Sequence, residues 1–179
     1  NKNSSFIGDF SFTEGYKSKT NKEKNSITHL FSKFSSNLDL ENFNKSTLDI
    51  SVERVNNDTY LKIFDQNTID EEIKPTNDDL LTSKIKINLQ NDKFNLETGM
   101  SSYENLQKIN SDRYEFILPY YNLSAELNDG KEYGYLNFLS QGSNILKNTN
   151  NLRSRIINDF DFRGLDLISK SGLQNNING

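Results

Sequence analysis

Apolar and polar residues alternate along most of the chain, which is the period of a β-strand with one apolar and one polar face. The clearest example is the sequence LDISVE at 48–53, where the apolar residues fall on one face and the polar residues on the other. Similar segments recur from the first residues to the last. The pattern predicts strands over 6–12, 30–40, 46–55, 84–89, 94–100, 114–127, 134–139, 152–160 and 165–172.

The segments between these strands alternate in length. Long connections are predicted over 13–26, 56–79, 101–113 and 140–151, and short ones over 41–45, 90–92, 128–132 and 161–164. A Greek-key sandwich gives no reason for such a sequence of lengths. Membrane-spanning barrels have short turns on one side and long loops on the other. The fold class predicted is therefore all-β, an antiparallel up-and-down meander that forms part of a large transmembrane β-barrel.

On this interpretation the apolar face meets lipid and the polar face lines an aqueous interior. The sheet then has to close, alone or with further strands, because backbone groups in hydrocarbon must be paired. Aromatic residues near strand ends, such as Phe31 and Tyr114, fit either an interfacial girdle or ordinary packing. The residues predicted to face the lumen are Lys33, Asp39, Asp49, Glu53, Lys84, Lys86 and Glu97.

The amino-acid composition agrees with a sheet that has one hydrated face. Hydrophobic residues make up only 33% of the 179 residues, yet aromatic residues make up 11%. A disordered chain is usually poor in aromatic residues. The formal net charge of −4 argues against a nucleic-acid partner, because phosphate binding needs clustered positive charge. The start at Asn1 suggests one incomplete domain, residues 1–179, of a longer protein.

No set of residues predicts catalysis or a cofactor. The chain has one histidine, His29, and no cysteine, so a zinc site or a catalytic triad is not expected. His29 is predicted to be solvated or part of an aromatic girdle. The acidic segment 65–72 lacks the turn glycine of an EF-hand, and Asp49 with Glu53 fits a hydrated face better than a glycosidase pair. Pro119, inside a strand, predicts a bulge or a strand start.

The segment 51–65, followed by 80–87 and 114–127, resembles the LptD family of outer-membrane lipopolysaccharide-assembly proteins, most closely its alphaproteobacterial forms. The resemblance lies in a DDTYL-like element preceded by Arg-Val, an LTSR-like strand, an LP-containing strand, and a later Asn-Thr followed by arginines. The corresponding residues here are Arg54, Val55, Asp58, Thr59, Tyr60 and Leu61, then Leu81–Lys84, Leu118–Tyr121 with Pro119, and Asn148–Thr149 with Arg153 and Arg155. Asn56 and Asn57 depart from the family's usual Ser-Asp, and the disulfides common in the family have no cysteine here.

The resemblance implies a non-enzymatic transport component in the outer membrane of a Gram-negative bacterium. Such a barrel works with an LptE-like plug lipoprotein and an LptA-like periplasmic bridge protein, and passes lipopolysaccharide into the outer leaflet. No cofactor is implied. Two alternatives stay open from the residues alone: another outer-membrane barrel, such as a porin or a receptor, and a soluble β-sheet module that binds glycans.

Overall fold

The chain folds into one eight-stranded antiparallel sheet in which each strand pairs with its neighbours in sequence. The computed structural model describes residues 3–17, 24–64, 72–129, 134–147, 151–165, 167–168, 170–175 and 179. The strands are β1 (Ser4–Lys17), β2 (Lys24–Asn37), β3 (Lys45–Val55), β4 (Leu80–Gln90), β5 (Phe94–Asn105), β6 (Tyr114–Asp129), β7 (Tyr135–Lys147) and β8 (Asn151–Arg163). The predicted all-β antiparallel meander is confirmed.

The remaining elements are small. A five-residue helix, α1 (Tyr60–Phe64), lies between β3 and β4, and a 3-10 turn (Asn110–Arg113) precedes β6. Strands β9 (Leu167–Ile168) and β10 (Gln174–Asn175) form a separate pair. The strand predicted over 165–172 is not observed at that length: of the described residues in this range, only Leu167 and Ile168 are extended and paired. Within the described residues, no helix is both long enough and apolar enough to cross a membrane.

Several strands are longer than the alternation predicts. Strand β7 continues to Lys147 through a segment predicted as a loop, and β5 continues to Asn105 through another. Strands β1 and β2 also extend into the predicted loop 13–26. The polar ends of these strands are paired through backbone hydrogen bonds, which need no apolar side chain. In β7 the alternation of apolar and polar residues is interrupted at Gly142. A larger residue does not fit there, because a Cβ would lie 2.4 Å from the Tyr121 ring.

These longer strands change the connections. Segments 18–23, 56–79, 106–113 and 148–150 join strands at one end of the sheet, and 38–44, 91–93 and 130–134 join them at the other. The contrast between 56–79 and 91–93 agrees with the predicted alternation. The long connection predicted over 140–151 is wrong, since only 148–150 separates β7 from β8. The strict alternation of long and short connections is therefore not observed.

The pairing register confirms which residues share a face. Ile50 is opposite Phe34 on β2 and Ile85 on β4, and Ile85 is opposite Met100 on β5. Asp49 is opposite Ser35 and Lys86 on the other face of the same strands. Because opposite residues in an antiparallel pair project to the same side, the sheet has one apolar and one polar face. We call these the apolar face and the polar face.

None of the described residues packs over the apolar face. Its side chains are substantially exposed even in the middle of the sheet, where Ile85 retains 45% and Met100 48% of full exposure. At the two edge strands the exposure is higher, reaching 72% at Phe6 and 67% at Ile156. Polar residues interrupt this face on β7 and β8, where Ser140 is opposite Asn158. Isolated exposed apolar residues are normal on proteins, but apolar residues that share one face across eight strands indicate contact with another apolar phase or partner.

The buried cluster lies on the other side of the molecule. Helix α1 packs against β2 and β3 near one end of the sheet, together with residues 56–59 and 72–79. We call residues 56–64 and 72–79 the covering segment. Phe31 and Leu61 are fully buried at the centre of this contact. Phe31 is therefore a core residue and not part of an exposed aromatic girdle. The other members of the cluster are Ile27, Val55, Tyr60, Ile73, Leu81 and Leu106.

The predicted bulge at Pro119 is confirmed. The pairing of β5 with β6 shifts between Gly99 and Ser101, and that of β6 with β7 shifts between Ile117 and Tyr120. Pro119 lies between these paired positions, preceded by a cis peptide bond from Leu118, and is exposed. A proline cannot donate a ladder hydrogen bond, so an interruption in the pairing accommodates it without loss.

Candidate functional site

The segment that carries the family resemblance folds onto the sheet as a compact unit. Val55, Tyr60 and Leu61 are buried in the cluster on the polar-face side. Asn57 starts the turn into α1: its side-chain Oδ1 accepts hydrogen bonds from the backbone N (2.9 Å) and Oγ1 (2.8 Å) of Thr59. This Asx turn is a local conformation that asparagine favours. This turn therefore sets the direction in which the chain leaves β3 and enters α1.

Tyr60 connects the covering segment to the two strands beneath it. Its hydroxyl contacts Nδ1 of His29 on β2, and the His29 ring stacks on Phe31 with ring centroids 4.7 Å apart. On the other side of the ring, Nε2 of His29 lies 3.1 Å from Oδ2 of Asp9 on β1. Those two atoms face each other outside hydrogen-bond geometry, and neither has a hydrogen-bond partner among the described residues. The contact is therefore a close approach of two polar atoms and not a hydrogen bond.

The prediction that His29 is solvated is wrong, because the covering segment encloses it. Burial raises the pKa of the Tyr60 hydroxyl above its ordinary value of 10.0, and the nearby Asp9 charge raises it further, while a hydrogen bond with Ser11 lowers it. His29 is 4% exposed, and its two ring nitrogens face Tyr60 and Asp9. The Asp9–His29–Tyr60 contact holds α1 against β1 and β2.

A second polar contact fixes the other end of the element. The Arg113 guanidinium bridges Asp58 (Nη2 to Oδ1, 2.7 Å) and Glu104 (Nε to Oε1, 2.8 Å). The hydrogen bond to Asp58 is the main reason that the pKa of Arg113 is raised above its ordinary value. The Tyr114 hydroxyl donates to the same Glu104 oxygen at 3.0 Å. Arg54 is mostly exposed and reaches Glu104 only at 4.0 Å. This bridge joins the covering segment to β5 and to the turn before β6.

The covering segment makes two further polar contacts. Lys62 of α1 lies 2.6 Å from the Asp79 carboxylate, which also accepts a hydrogen bond from Gln107 at 2.6 Å. Lys33, predicted to face the lumen, donates to the backbone carbonyl of Glu72. The predicted lumen residue Lys33 therefore lies on the polar face but is engaged by the covering segment.

The rest of the polar face, over β4 to β8, is open and forms a hollow of about 490 Å³. Three of the predicted lumen residues, Lys84, Lys86 and Glu97, line it, and Lys86 lies 3.9 Å from Glu97. The hollow combines cations, phenols and amides. Its other polar lining residues are Ser101, Tyr103, Tyr120, Asn122, Gln141, Ser143 and Arg155.

The remaining predicted lumen residues divide into two groups. Asp49 and Glu53 lie on the polar face, where Asp49 accepts a hydrogen bond from Ser35 Oγ at 2.6 Å and Glu53 accepts one from Thr82 N at 2.7 Å. Asp39 does not lie on the polar face as predicted. It follows the end of β2, has a positive φ of 49°, and contacts the Asn3 side chain. The alternation predicted over 30–40 stops at Asn37, so Asp39 belongs to a connection.

The seven other polar lining residues were not assigned to the lumen from sequence. Gln141 and Ser143 fell in a segment predicted as a loop, and Tyr120 follows the irregularity at Pro119, which hides the period of β6. Arg155 was recognised only through the family resemblance. The alternation of polar residues at 153, 155, 159 and 161 in β8 was the signal that could have placed it.

Metal binding is not indicated by the described part of the chain, in which no group of three or more His, Asp or Glu residues converges. Residues 65–71 of the acidic segment 65–72 lie outside the described residues, as does the Asn148–Thr149 pair of the family resemblance. Asp49 and Glu53 are held by separate hydrogen bonds and form no shared site. The arrangement therefore offers binding surfaces, without a catalytic constellation among these residues.

Comparison with known proteins adds no family. No protein-family model matches the chain, no curated protein is significantly similar to it, and no solved structure is significantly similar to its fold. Its function must therefore be argued from the two faces of the sheet and the residues gathered on them.

Tyr60→Phe tests the contact that holds the covering segment. Below pH 10 the substitution is expected to lower the free energy of unfolding by about 1–3 kcal/mol, because the buried His29 Nδ1 loses its partner. The raised pKa of Tyr60 means that the folded state holds the phenolic proton more tightly than the unfolded state. The stabilising effect of that proton is complete below pH 10 and is lost as the pH rises through the folded pKa.

The measurement is urea unfolding of the wild type and the variant over a series of pH values. The difference between the two is expected to shrink as the pH rises above 10. Tyr135→Phe is the matched control, because Tyr135 is an exposed tyrosine in β7. Equal stability of Tyr60→Phe and wild type at neutral pH would contradict the assignment, as would a difference that grows with pH.

Proposed function

We propose that this chain forms part of the wall of a transmembrane β-barrel in the outer membrane of a Gram-negative bacterium. The apolar face meets lipid, and the polar face lines an aqueous interior. The observation that carries the proposal is the uncovered apolar face, which extends from Phe6 on β1 to Phe160 on β8. A water-soluble sheet would have to cover such a face with helices or with a second sheet.

The polar face supports the same proposal. It carries charged residues, among them Lys84 and Lys86 on β4, Glu97 on β5 and Arg155 on β8, and it is open to water around the hollow. In large outer-membrane barrels the interior is polar, and loops fold into it. The covering segment occupies a corresponding position here, since it joins two strands and then packs back over the polar face. A lipid-facing apolar side with a loop-covered polar side is the arrangement that such a wall requires.

The proposed cargo of the barrel is lipopolysaccharide, and the proposed role is transport without catalysis. This part rests on the resemblance to the LptD family, whose characteristic residues Arg54–Leu61 here form one folded unit on the polar-face side. The cations and tyrosines of the hollow, such as Lys84 and Tyr120, have the chemistry to contact phosphorylated sugars. The proposed partners are an LptE-like plug lipoprotein and an LptA-like periplasmic bridge protein.

A soluble glycan-binding module is the second candidate, and one observation favours it. The hollow places Tyr103 and Tyr120 beside Asn122 and Gln141, a combination of aromatic rings and amides that suits a sugar. This candidate requires a protein partner for the apolar face. The two candidates differ in what happens when that face is charged.

Ile85→Lys places a charge in the middle of the apolar face. If the face meets hydrocarbon, the substitution is expected to cost roughly 2–4 kcal/mol near the bilayer midplane and to prevent stable integration. The measurement is the fraction of chain that resists alkaline extraction from outer membranes. Asn122→Lys is the matched control on the polar face and is expected to integrate as the wild type does. Normal integration of Ile85→Lys, or a wild-type chain that dissolves in water without detergent, would contradict the proposed membrane wall.

A photo-crosslinking amino acid in place of Tyr120 tests the cargo. In cells the adduct with lipopolysaccharide is expected to form while lipopolysaccharide is being supplied and to disappear when its synthesis is blocked, because Tyr120 lines the interior hollow. The same substitution at Phe138, on the apolar face, is the control and should keep its adducts with resident membrane lipid. An adduct at Tyr120 that never contains lipopolysaccharide would exclude this cargo while leaving the barrel wall untouched.

A further inference from the structure

The apolar face becomes charged at one end of the sheet. From β3 to β8, the described residues in register with this face are uncharged except for Arg54 on β3 and Glu104 on β5. Both lie at the end of the sheet that carries the covering segment. A charge on a lipid-facing strand costs little near the boundary with water and much more further in. On the proposed membrane wall, these two residues therefore mark the water boundary.

A recess of about 470 Å³ opens beside these two charges. One wall continues the apolar face, because Leu30 is opposite both Phe10 and Arg54 on the neighbouring strands. The other wall is polar and comes from the end of β5 and the start of β6. An apolar wall that meets a charged one suits an amphipathic ligand. The lining includes Phe10, Leu30, Arg54, Glu104, Arg113 and Tyr114.

The Arg54 guanidinium is available to a ligand in this recess. Its side chain is 67% exposed, and its Nη1 lies 4.0 Å from Oε2 of Glu104, beyond hydrogen-bond distance. An exposed ion pair at this separation contributes little to stability. The donors of Arg54 can therefore turn to a phosphate, which arginine binds through two parallel hydrogen bonds. Arg113 differs, because Asp58 and Glu104 already hold its guanidinium.

Glu104 presents the opposite charge next to Arg54. Its Oε1 accepts hydrogen bonds from Arg113 Nε at 2.8 Å and from the Tyr114 hydroxyl at 3.0 Å. Its Oε2 faces Arg54 instead. An ammonium group beside Arg54 can donate a charge-assisted hydrogen bond to Oε2 without displacing either of the bonds to Oε1. The recess thus offers one site for a phosphate and an adjacent site for an ammonium.

The charges around the recess balance one another. Arg54 and Arg113 are positive, and Glu104 and the Asp58 that contacts Arg113 are negative. A ligand that carries one phosphate and one ammonium leaves this balance unchanged, whereas an anionic ligand adds an uncompensated negative charge. A quaternary ammonium has no N–H group to donate to Glu104. The lining therefore selects a zwitterion with a primary ammonium.

We propose that this recess binds the headgroup of phosphatidylethanolamine. The phosphate lies on Arg54, the ammonium on Oε2 of Glu104, and the acyl chains run along Phe10 and Leu30. The inference rests on the proposed membrane wall, because the acyl chains need the apolar face to lie in lipid. It goes beyond the transport role, since the site lies outside the polar interior. Tyr114 fits this position, because tyrosine is enriched where a membrane meets water.

Quenching of a single tryptophan by brominated lipids tests the proposal. The chain has no tryptophan, so Phe10→Trp places the sole one in the wall of the recess. Phe160→Trp on β8 is the matched control on the apolar face, since Phe10 is 66% and Phe160 62% exposed. Each variant is reconstituted in phosphatidylcholine bilayers that contain an equal fraction of brominated phosphatidylethanolamine, phosphatidylglycerol or phosphatidylcholine.

At Phe10→Trp, brominated phosphatidylethanolamine is expected to bind about two- to fivefold more tightly than the other two lipids, as one partly exposed ion pair allows. Adding Arg54→Gln should abolish the preference, because the phosphate loses its partner. Glu104→Gln, checked for retained fold by circular dichroism, should abolish the advantage over phosphatidylcholine. Arg153→Gln, at an exposed arginine of β8, should leave the preference unchanged. Phe160→Trp should show no preference among the three headgroups.

This pattern supports the proposal, and the other outcomes separate it from the membrane wall. Quenching at both tryptophans without a headgroup preference would overturn the lipid site and leave the wall intact. A preference that survives Arg54→Gln, or a preference for phosphatidylglycerol, would overturn the site in the same way. Absence of quenching at both tryptophans would overturn the wall and the lipid site together.

Discussion

The apolar side chains on one face of this sheet are not covered by any described part of the chain, and the rest of the structure is consistent with that constraint. Each strand supplies apolar residues at every second position, so burial of one face leaves the other to meet water. Here Ile50, Ile85 and Met100 meet across three strands, and nothing in the described chain lies over them. Burial of apolar area is the largest favourable contribution to folding. The stability of the sheet therefore depends on what the apolar face contacts.

The buried cluster of the described residues forms on the opposite face, where most side chains are polar. Phe31 and Leu61 provide its centre, and the contacts of Tyr60 with His29 and of Arg113 with Asp58 position the covering segment around it. A segment of this kind narrows the polar face over β1 to β4 and leaves the hollow over β4 to β8 open. In the proposed barrel, the same segment divides the interior into a closed part and an accessible part.

The sequence pattern was sufficient for the all-β antiparallel meander and for most of the face assignments, because both depend on the period of two. The lumen assignment of Lys84, Lys86 and Glu97 to one face followed from that period. The position of His29 did not, since its burial depends on a helix that lies about thirty residues further along the chain. Tertiary contacts of this kind leave no local signal. Strand β7 was partly missed for another reason: Ser140, Gly142 and Asn144 give its apolar side too little hydrophobicity to show a period.

The two faces can be distinguished directly along one strand. The chain contains no cysteine, so single nitroxide labels can be placed at each position from 84 to 88 of β4 without other changes. After reconstitution in lipid, collision with oxygen is expected to dominate at Ile85 and Ile87, and collision with a water-soluble nickel complex at Lys84, Lys86 and Asn88. That alternation is the result predicted for a sheet between lipid and water. Equal protection of Ile85 and Ile87 from both reagents would instead place the apolar face inside a protein core and contradict the account.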